Sequence, residues 1–583
     1  MSFNEYYLSE LSALRELGKE FADENPALAP FLSQQGQDPD VERLFEGFAF
    51  LVGRLRQRLD DELPELTHSL MRLLWPNYIR PIPAISTLAF MPKLELTQKQ
   101  TIKANTEVKS KAISGTACLF KTCYDTDIYP LSIHSSKYAS TGDGGIYTIK
   151  LALENGAQLS DINLNTLRLH FHGDKATCLT LLMAMKVRTT KLEYRLINSD
   201  GERLNLTTLP LNTIKEVGFE EGQALLEYPL NTFMGYRHLQ EFFCYPDKYQ
   251  YIDLVDLPLW PSESTKQCSH IEFSFKFEQL STTQFHPDRA KVALFCTPII
   301  NLFDTDAAPI LLNHTKTHYK LSHATLTDDK SLVVGVNSVV GWQPGKHGKI
   351  KFHDFESFEH DANNNDGQFF SIKQSPNIVT RQFDTYLSFN LDHANHRSTT
   401  VSVSIKACNG LLPRKLSIGD ICESTDSSPE FATFKNIAMA THSYAPPIEK
   451  DGLWSLISNM SLNYISLTKP EALKKLLVAY DFPGSQNDTK AKQTKRLLGG
   501  IKDISAQPID LLLRGLPVRG MNTQLTLESK HFLCEGELYL FSSVLNEFFS
   551  LYTSVNAFNM LSVQSSEGGK YSWSPRVGQQ PVI

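Results

Sequence analysis

An abrupt change of hydrophobic period divides this chain, and the stretch LWPNYIRPIP, residues 74–83, marks the place. Each proline fixes φ, removes an N–H and pushes the residue before it toward extended geometry. A helix arriving from the N-terminal side therefore ends at Trp75. Upstream, apolar residues recur every three to four positions; downstream, they alternate.

The upstream part reads as helices. Ser2 and Glu5 have capping-box spacing, and Tyr7, Leu11, Leu14, Leu17 and Phe21 form one apolar stripe. NPALAPFL breaks that helix, and Asp38 caps a second with Pro39 at its first position. The second stripe is Val41, Leu44, Phe45, Phe48, Leu51, Val52, Leu55 and Leu59. In LDDELPEL, Pro64 predicts the start of a third, short helix, with acids suited to its positive dipole end. A catalytic carboxylate pair is the other reading of these acids, but no neighbour there would tune a pKa. Two or three helices cannot bury stripes this wide alone, so they lie on the rest of the chain or wait for partner helices.

From residue 84 to 440 the period is two. Ile271, Phe273, Phe275 and Phe277 alternate with Glu272, Ser274, Lys276 and Glu278; Val401, Val403 and Ile405 alternate with Ser402, Ser404 and Lys406. GDGGIYTIKLAL pairs a Gly-rich turn with another alternation, and Leu167, Leu169 and Phe171 oppose Arg168, His170 and His172. Such alternation marks half-buried antiparallel sheets. The expectation is two sandwich-like lobes with a boundary near 255–290.

After residue 440 helical spacing returns: one helix around Trp454 and Ile457, and a second after Pro470 with Leu473, Leu476, Leu477 and Tyr480 inward. PGSQNDTKAK reads as a loop, and Gly499-Gly500 closes the helix behind it. GELYLFSSVLNEFFSLYTSVNAF reads as a strand passing into a helix capped near Ser543. Its large side chains, Phe548, Phe549 and Tyr552 among them, read as core by default and as a self-association face in the alternative. The fold class is α+β, with domains at 1–83, 84–260, 261–440 and 441–583.

The chemical motifs fail one by one. His170 and His172 share a strand face, but no third ligand follows at fitting spacing, so they read as solvated surface histidines. Asp361, Asn363 and Asn365 imitate a calcium loop, yet Asp366 stands where glycine is needed and Ile372 where a bidentate acid is needed. GWQPGKHGK has its glycines one residue too close for a phosphate loop and His347 in place of the magnesium hydroxyl. No nucleophile elbow and no HExxH occur. Neither a metal nor a cofactor is expected, and no catalysis.

A net charge of −7 speaks against a nucleic-acid partner, which needs basic surface to displace counterions. No apolar run approaches the ~20 residues of a membrane span, so direct membrane insertion is not expected. The start MSFNEYYLSELSAL has no basic flank and no long apolar core, unlike a signal peptide. Nine cysteines without a CxxC pair predict reduced thiols in a cytoplasmic protein.

Eight segments, in order, resemble the TssF family of bacterial type VI secretion baseplate subunits: DPDVERLFEGFAFLVGRL, DDELPEL, PNYIRPIP, LRLHFHGD, GYRHLQEFFCYPDKY, CTPIINLF, NMSLNYISL and LFSSVLNEFFSLYTSVNAF. Asn77, where a histidine is common, and Cys408-Asn409-Gly410 are minor departures. The resemblance implies a non-enzymatic wedge component: two TssF copies clasp one TssG, TssK and TssE join them, and the wedges surround a VgrG hub at the inner face of the inner membrane. It also implies that Tyr7, Leu11, Leu14, Leu17, Phe21, Leu44, Phe48 and Leu55 belong to a bundle shared with TssG. Pro76, Pro81 and Pro83 then form a stiff joint between that bundle and the β-rich wing. A carbohydrate-active β-sandwich enzyme, the competing class, would need a cleft with two spaced carboxylates. A secreted β-rich adhesin would need an export signal.

Overall fold

In a computed structural model, the structure describes residues 7–8, 11, 14, 39–141, 144–204, 206–228, 235–258, 260, 268–278, 286–313, 315–342, 349–355, 368–377, 382–390, 399–447, 469–513, 516–551, 553 and 557–578. The chain divides into two units, Met1–Leu74 with Ile448–Ile457, and Trp75–Pro447 with Ser458–Ile583.

In the first unit Tyr7, Leu8, Leu11 and Leu14 are helical, and helix α1 runs over Pro39–Leu74. Pro39 occupies the first position, as the sequence indicates. The break expected at Pro64 does not occur, because α1 is continuous for 36 residues. An interior proline costs one N–H bond and crowds one carbonyl, yet helical geometry continues through it here. α1 ends at Leu74, at the proline run.

The second unit is built from sheets whose strands come from distant parts of the sequence. One six-stranded sheet has the order Ile421–Ser424, Glu107–Ser110, Leu119–Thr122, Cys296–Ile300, Ile85–Pro92, Ala432–Asn436. A five-stranded sheet centres on Cys268–Glu278, which pairs antiparallel with both Gly144–Leu153 and Thr189–Asn198. A four-stranded sheet has the order Ile214–Glu216, Tyr251–Leu254, Leu167–Gly173, Ala290–Leu294. The boundary expected at 260/261 therefore cuts through hydrogen-bonded sheets. Strands 268–278 and 290–294 complete the first lobe, and the six-stranded sheet joins residues from both expected lobes.

An eight-stranded sheet follows, within residues 303–408, with Val401, Val403 and Ile405 fully buried in its core. The inward row Ile271, Phe273, Phe275 and Phe277 is buried too, in agreement with its alternation. Nearly all strand pairs are antiparallel. The two described parallel ones join Lys349–Asp354 to Phe369–Asn377 and Leu516–Leu527 to Phe558–Ser565.

Among the described residues, the α-helices of this unit are α2 (Lys175–Met183), α3 (Gly235–Cys244), α4 (Pro470–Ala479), α5 (Phe482–Gln486), α6 (Asp488–Gly499) and α7 (Glu535–Leu551). On α4, Leu473, Leu476 and Leu477 are buried, as is Tyr480 just beyond it. PGSQNDTKAK is helical rather than a loop. Asp481 caps α5 through the Gly484 N–H, and Asn487 caps α6 through Thr489 and Lys490. Asn487, one of the polar residues that suggested a loop, is itself a cap. α7 is helical from Glu535, so the strand expected before Ser543 is absent, and it packs on α2 and α3. The helix expected around Trp454, the Asp361 loop and most of GWQPGKHGK lie outside the described residues.

Candidate interaction surface and the buried joint

The apolar stripe of α1 splits into two faces. Ala49 and Gly53 are buried and Phe45 and Val52 half-buried, whereas Leu44 is 72% exposed, Phe48 58% and Leu51 66%. Residues 44, 48 and 51 are spaced by four and three, so they share one face of the helix. Phe50, at 50%, and Leu8, at 55%, are exposed as well. Phe50 and Leu8 were not singled out from the sequence; Leu51 was read in the stripe of α1 but not among the residues of the shared bundle. Leu11 is buried, and Tyr7 and Leu14 are half-buried. Leu55 continues the 44–48–51 spacing on α1, but its side chain, like Leu17 and Phe21, lies outside the described residues.

The proline joint is interior. Pro76, Pro81 and Pro83 are all buried. Trp75, fully buried, meets the rings of Tyr78, Tyr236 and Tyr480 at centroid distances of 5.1, 5.4 and 5.0 Å. Tyr78 donates to the Ala479 carbonyl at 3.0 Å, and burial pushes its phenol pKa up. Ile82 and Tyr444 exchange two backbone hydrogen bonds of 2.8 Å. The segment is thus buried and packed against aromatic rings, with its prolines restricting φ.

Asn77 connects the joint to an ionic cluster. Its Nδ2 donates to the Glu227 carbonyl at 2.9 Å, and its carbonyl accepts from Gln240 of α3 at 3.2 Å. The next residue of α3, Glu241, pairs with both Arg237 (3.4 Å) and Lys248, all three being at most 2% exposed. Two cations against one carboxylate leave excess positive charge, which backbone carbonyls absorb. Arg237 donates to Glu220 O at 2.7 Å, and Lys248 donates to Gln223 O at 3.1 Å. Glu241 also accepts from the Leu225 N–H at 2.8 Å. Desolvation, partly offset by Glu241, lowers the Lys248 pKa to about 8. Burial, then Arg237, holds His238 well below its ordinary value. The cluster thus pins the segment 220–227 over α3. The sequence reading missed it, although Arg237 and Glu241 stand at the i, i+4 spacing of a helical ion pair.

Of the two paired histidines, His170 is buried and His172 half-buried. His170 is 3% exposed, its Nδ1 lies 3.1 Å from the Gln250 carbonyl, and its ring sits 4.3 Å from that of Tyr251. Burial, with a smaller effect from His172, lowers its pKa to about 3. The correction follows from topology: strand Leu167–Gly173 is interior to its sheet, and both of its faces carry buried residues. Among the described residues no group of three His, Cys, Asp or Glu side chains is arranged to hold a metal. All nine cysteines are free thiols.

Phe548 and Phe549 are 0% and 1% exposed, and Phe548 stacks near Tyr236 at 6.2 Å. These two are core, as the default reading had it, and the alternative self-association face does not hold for them. Tyr552 lies outside the described residues. No described helix is long and apolar enough to cross a membrane.

Comparison with known proteins places this arrangement in context. A family model described as type VI secretion system, TssF, matches residues 1–580. A type VI secretion system component TssF1 of Pseudomonas aeruginosa is 25% identical over 99% of both chains. A chain solved within a type VI secretion system TssK–TssF–TssG baseplate subcomplex superposes with a TM-score of 0.75 at 27% identity, covering 93% of this chain and 99% of that one. A chain of the type VI secretion baseplate complex matches over the full length of both with a TM-score of 0.63; at 24% identity that likeness concerns the fold.

Proposed function

Because the chain belongs to the TssF family of the type VI secretion system, we propose that it is a non-enzymatic baseplate subunit whose α1 face packs into a helical bundle with a TssG partner. The observation carrying this reading is the row Leu44, Phe48 and Leu51, large apolar side chains left more than half exposed on one helix face. Such a face costs solubility unless something covers it. A relative solved together with TssK and TssG supports the identity of the neighbours.

In this reading two copies of the chain clasp one TssG, TssK and TssE join the unit, and several units ring a VgrG hub at the cytoplasmic face of the inner membrane. The buried joint at Trp75–Pro83 holds the angle that such a wedge must transmit. Co-expression with the cognate TssG, followed by mass measurement in solution, tests the proposal. A stable complex is expected from the unsubstituted chain, and separate elution of the two proteins would refute it.

A further inference from the structure

We infer that the eight-stranded sheet within residues 303–408 is a lever that turns about the Asn301–Asn409 pair, and that a quartet of charges beside this pivot latches its angle.

The chain enters this sheet once and leaves it once. Cys296–Ile300, inside the six-stranded sheet, passes through Asn301 and Leu302 into Phe303–Asp306. Thr399–Cys408 returns through Asn409 and Gly410 toward Ile421–Ser424, at the edge of that same six-stranded sheet. The two crossings lie side by side, since Phe303 pairs with Ala407. The buried core cluster of the eight-stranded sheet draws its described members from residues 303–407, and Leu119 of the six-stranded sheet packs against it.

Hydrogen bonds tie the crossings to each other and to the six-stranded sheet. Asn301 Nδ2 donates to Asn409 Oδ1 at 2.8 Å and to the Leu119 carbonyl at 2.6 Å. In return the Asn409 N–H donates to Asn301 Oδ1 at 2.7 Å, and the Leu119 N–H donates to Asn409 Oδ1 at 3.2 Å. The Asn301 N–H is held by the Ala84 carbonyl at 2.8 Å. Both asparagines are at most 1% exposed, and both N–H groups of the Asn301 amide are used. Gly410, at φ +55°, turns the chain directly after the pair. Sliding the sheet would break these buried bonds, whereas rotation about them would not.

Three residues beyond the pivot on each strand stand Asp304 and Lys406, paired directly across the sheet. Asp304 meets Lys121 of the six-stranded sheet at 2.7 Å, and Lys406 meets Glu227. At about 3.3 Å per residue, the quartet lies roughly 10 Å from the pivot. Its outer members belong to the stationary side: Lys121 to an interior strand, and Glu227 to the segment pinned over α3. All four charges border a cavity of about 480 Å³, with Leu225, Ile300 and Leu302 among its apolar walls. Open space here leaves the sheet room to tilt without breaking a close-packed seam. Glu227 and Asp304 are 71% and 49% exposed, so the latch is weak and salt opens it. Lys330, which reaches the Ser114 carbonyl at 3.0 Å, adds one further exposed tie.

The test uses the free full-length chain with two unnatural amino-acid spin labels, which leaves the native cysteines untouched. One label replaces Glu423 on the six-stranded sheet. The other replaces either Lys351, opposite Val340 near the far end of the lever, or Asp306, close to the pivot. At low salt the distance between positions 423 and 351 should form one narrow distribution. Asp304→Asn with Glu227→Gln should broaden or shift it, with a melting temperature close to that of the unsubstituted chain. Salt at about 1 M, where the screening length is about 3 Å, should do the same. The distance between positions 423 and 306 should change far less. A 423–351 distribution unaltered by the double substitution or by salt, or an equal change at positions 351 and 306, would overturn the proposal.

Discussion

Glu241 shows how much a single side chain carries here. It pairs with both Arg237 and Lys248, and all three are out of water. Removing one partner of a buried ion pair leaves charge uncompensated and costs about 3–5 kcal/mol. Glu241→Gln should lower the melting temperature of the full chain by several degrees, measured calorimetrically; an unchanged melting point would mean that the backbone carbonyls alone suffice. His170 makes a second prediction, in pH. Its folded pKa, lowered to about 3, lies below the ordinary value of 6.5. Below pH 6.5 the unfolded chain therefore binds the proton that the folded chain refuses. The neutral histidine's contribution is complete above that pH and fades toward pH 3, by at most about 1.4 kcal/mol per pH unit. His170→Gln, which can keep a donor to the Gln250 carbonyl, should flatten the fall of melting temperature between pH 6.5 and 4. An identical acid profile in the variant would refute the assignment.

The elements differ in how far the sequence announced them. Alternation was decisive for Cys268–Glu278 and Thr399–Cys408, because one face of each strand is buried and the other less so. It misled at Leu167–Gly173, where neighbours cover both faces and a buried histidine looks like a surface one. The cap Asn487 was read as a loop residue, since the same side chain serves turns and helix starts. The stripe of α1 was legible, but its division into a buried and an exposed face depends on what covers it. That division yields a prediction. Leu44→Asp with Phe48→Asp should change the free chain's stability little, within about 0.5 kcal/mol per site, as exposed substitutions do. Binding to TssG should nevertheless be lost; retained binding would place the interface elsewhere. The prolines behave otherwise. Since Pro81 and Pro83 are buried, replacing both with Gly removes packed atoms as well as φ restraints. The isolated chain should lose about 1–3 kcal/mol, beyond the 0.4–1 kcal/mol per site from backbone freedom alone. A denaturant midpoint equal to that of the unsubstituted chain would show that the joint does not depend on them.

For the molecule as a whole, the α+β class and the helix-to-strand switch were legible, whereas the domain boundaries were not. Sheets recruit strands across hundreds of residues, as when Ile85–Pro92 sits between Cys296–Ile300 and Ala432–Asn436. No local pattern encodes such neighbours. The interaction surface was legible in part, because an amphipathic helix declares an apolar face without saying whether its own chain covers it. The ionic cluster under segment 220–227 was legible only in part for a related reason: Arg237 and Glu241 have helical spacing, but Lys248 meets Glu241 by folding back. The central claim is that this chain is a structural subunit recruited through the exposed face of α1. Light scattering on the co-purified complex with TssG tests it most directly. The account predicts one species holding two copies of this chain per TssG, and a Leu44→Asp, Phe48→Asp variant that stays folded and elutes apart from TssG. A folded, unsubstituted chain that never enters a complex with TssG, or a variant that assembles as well as the original, would contradict it.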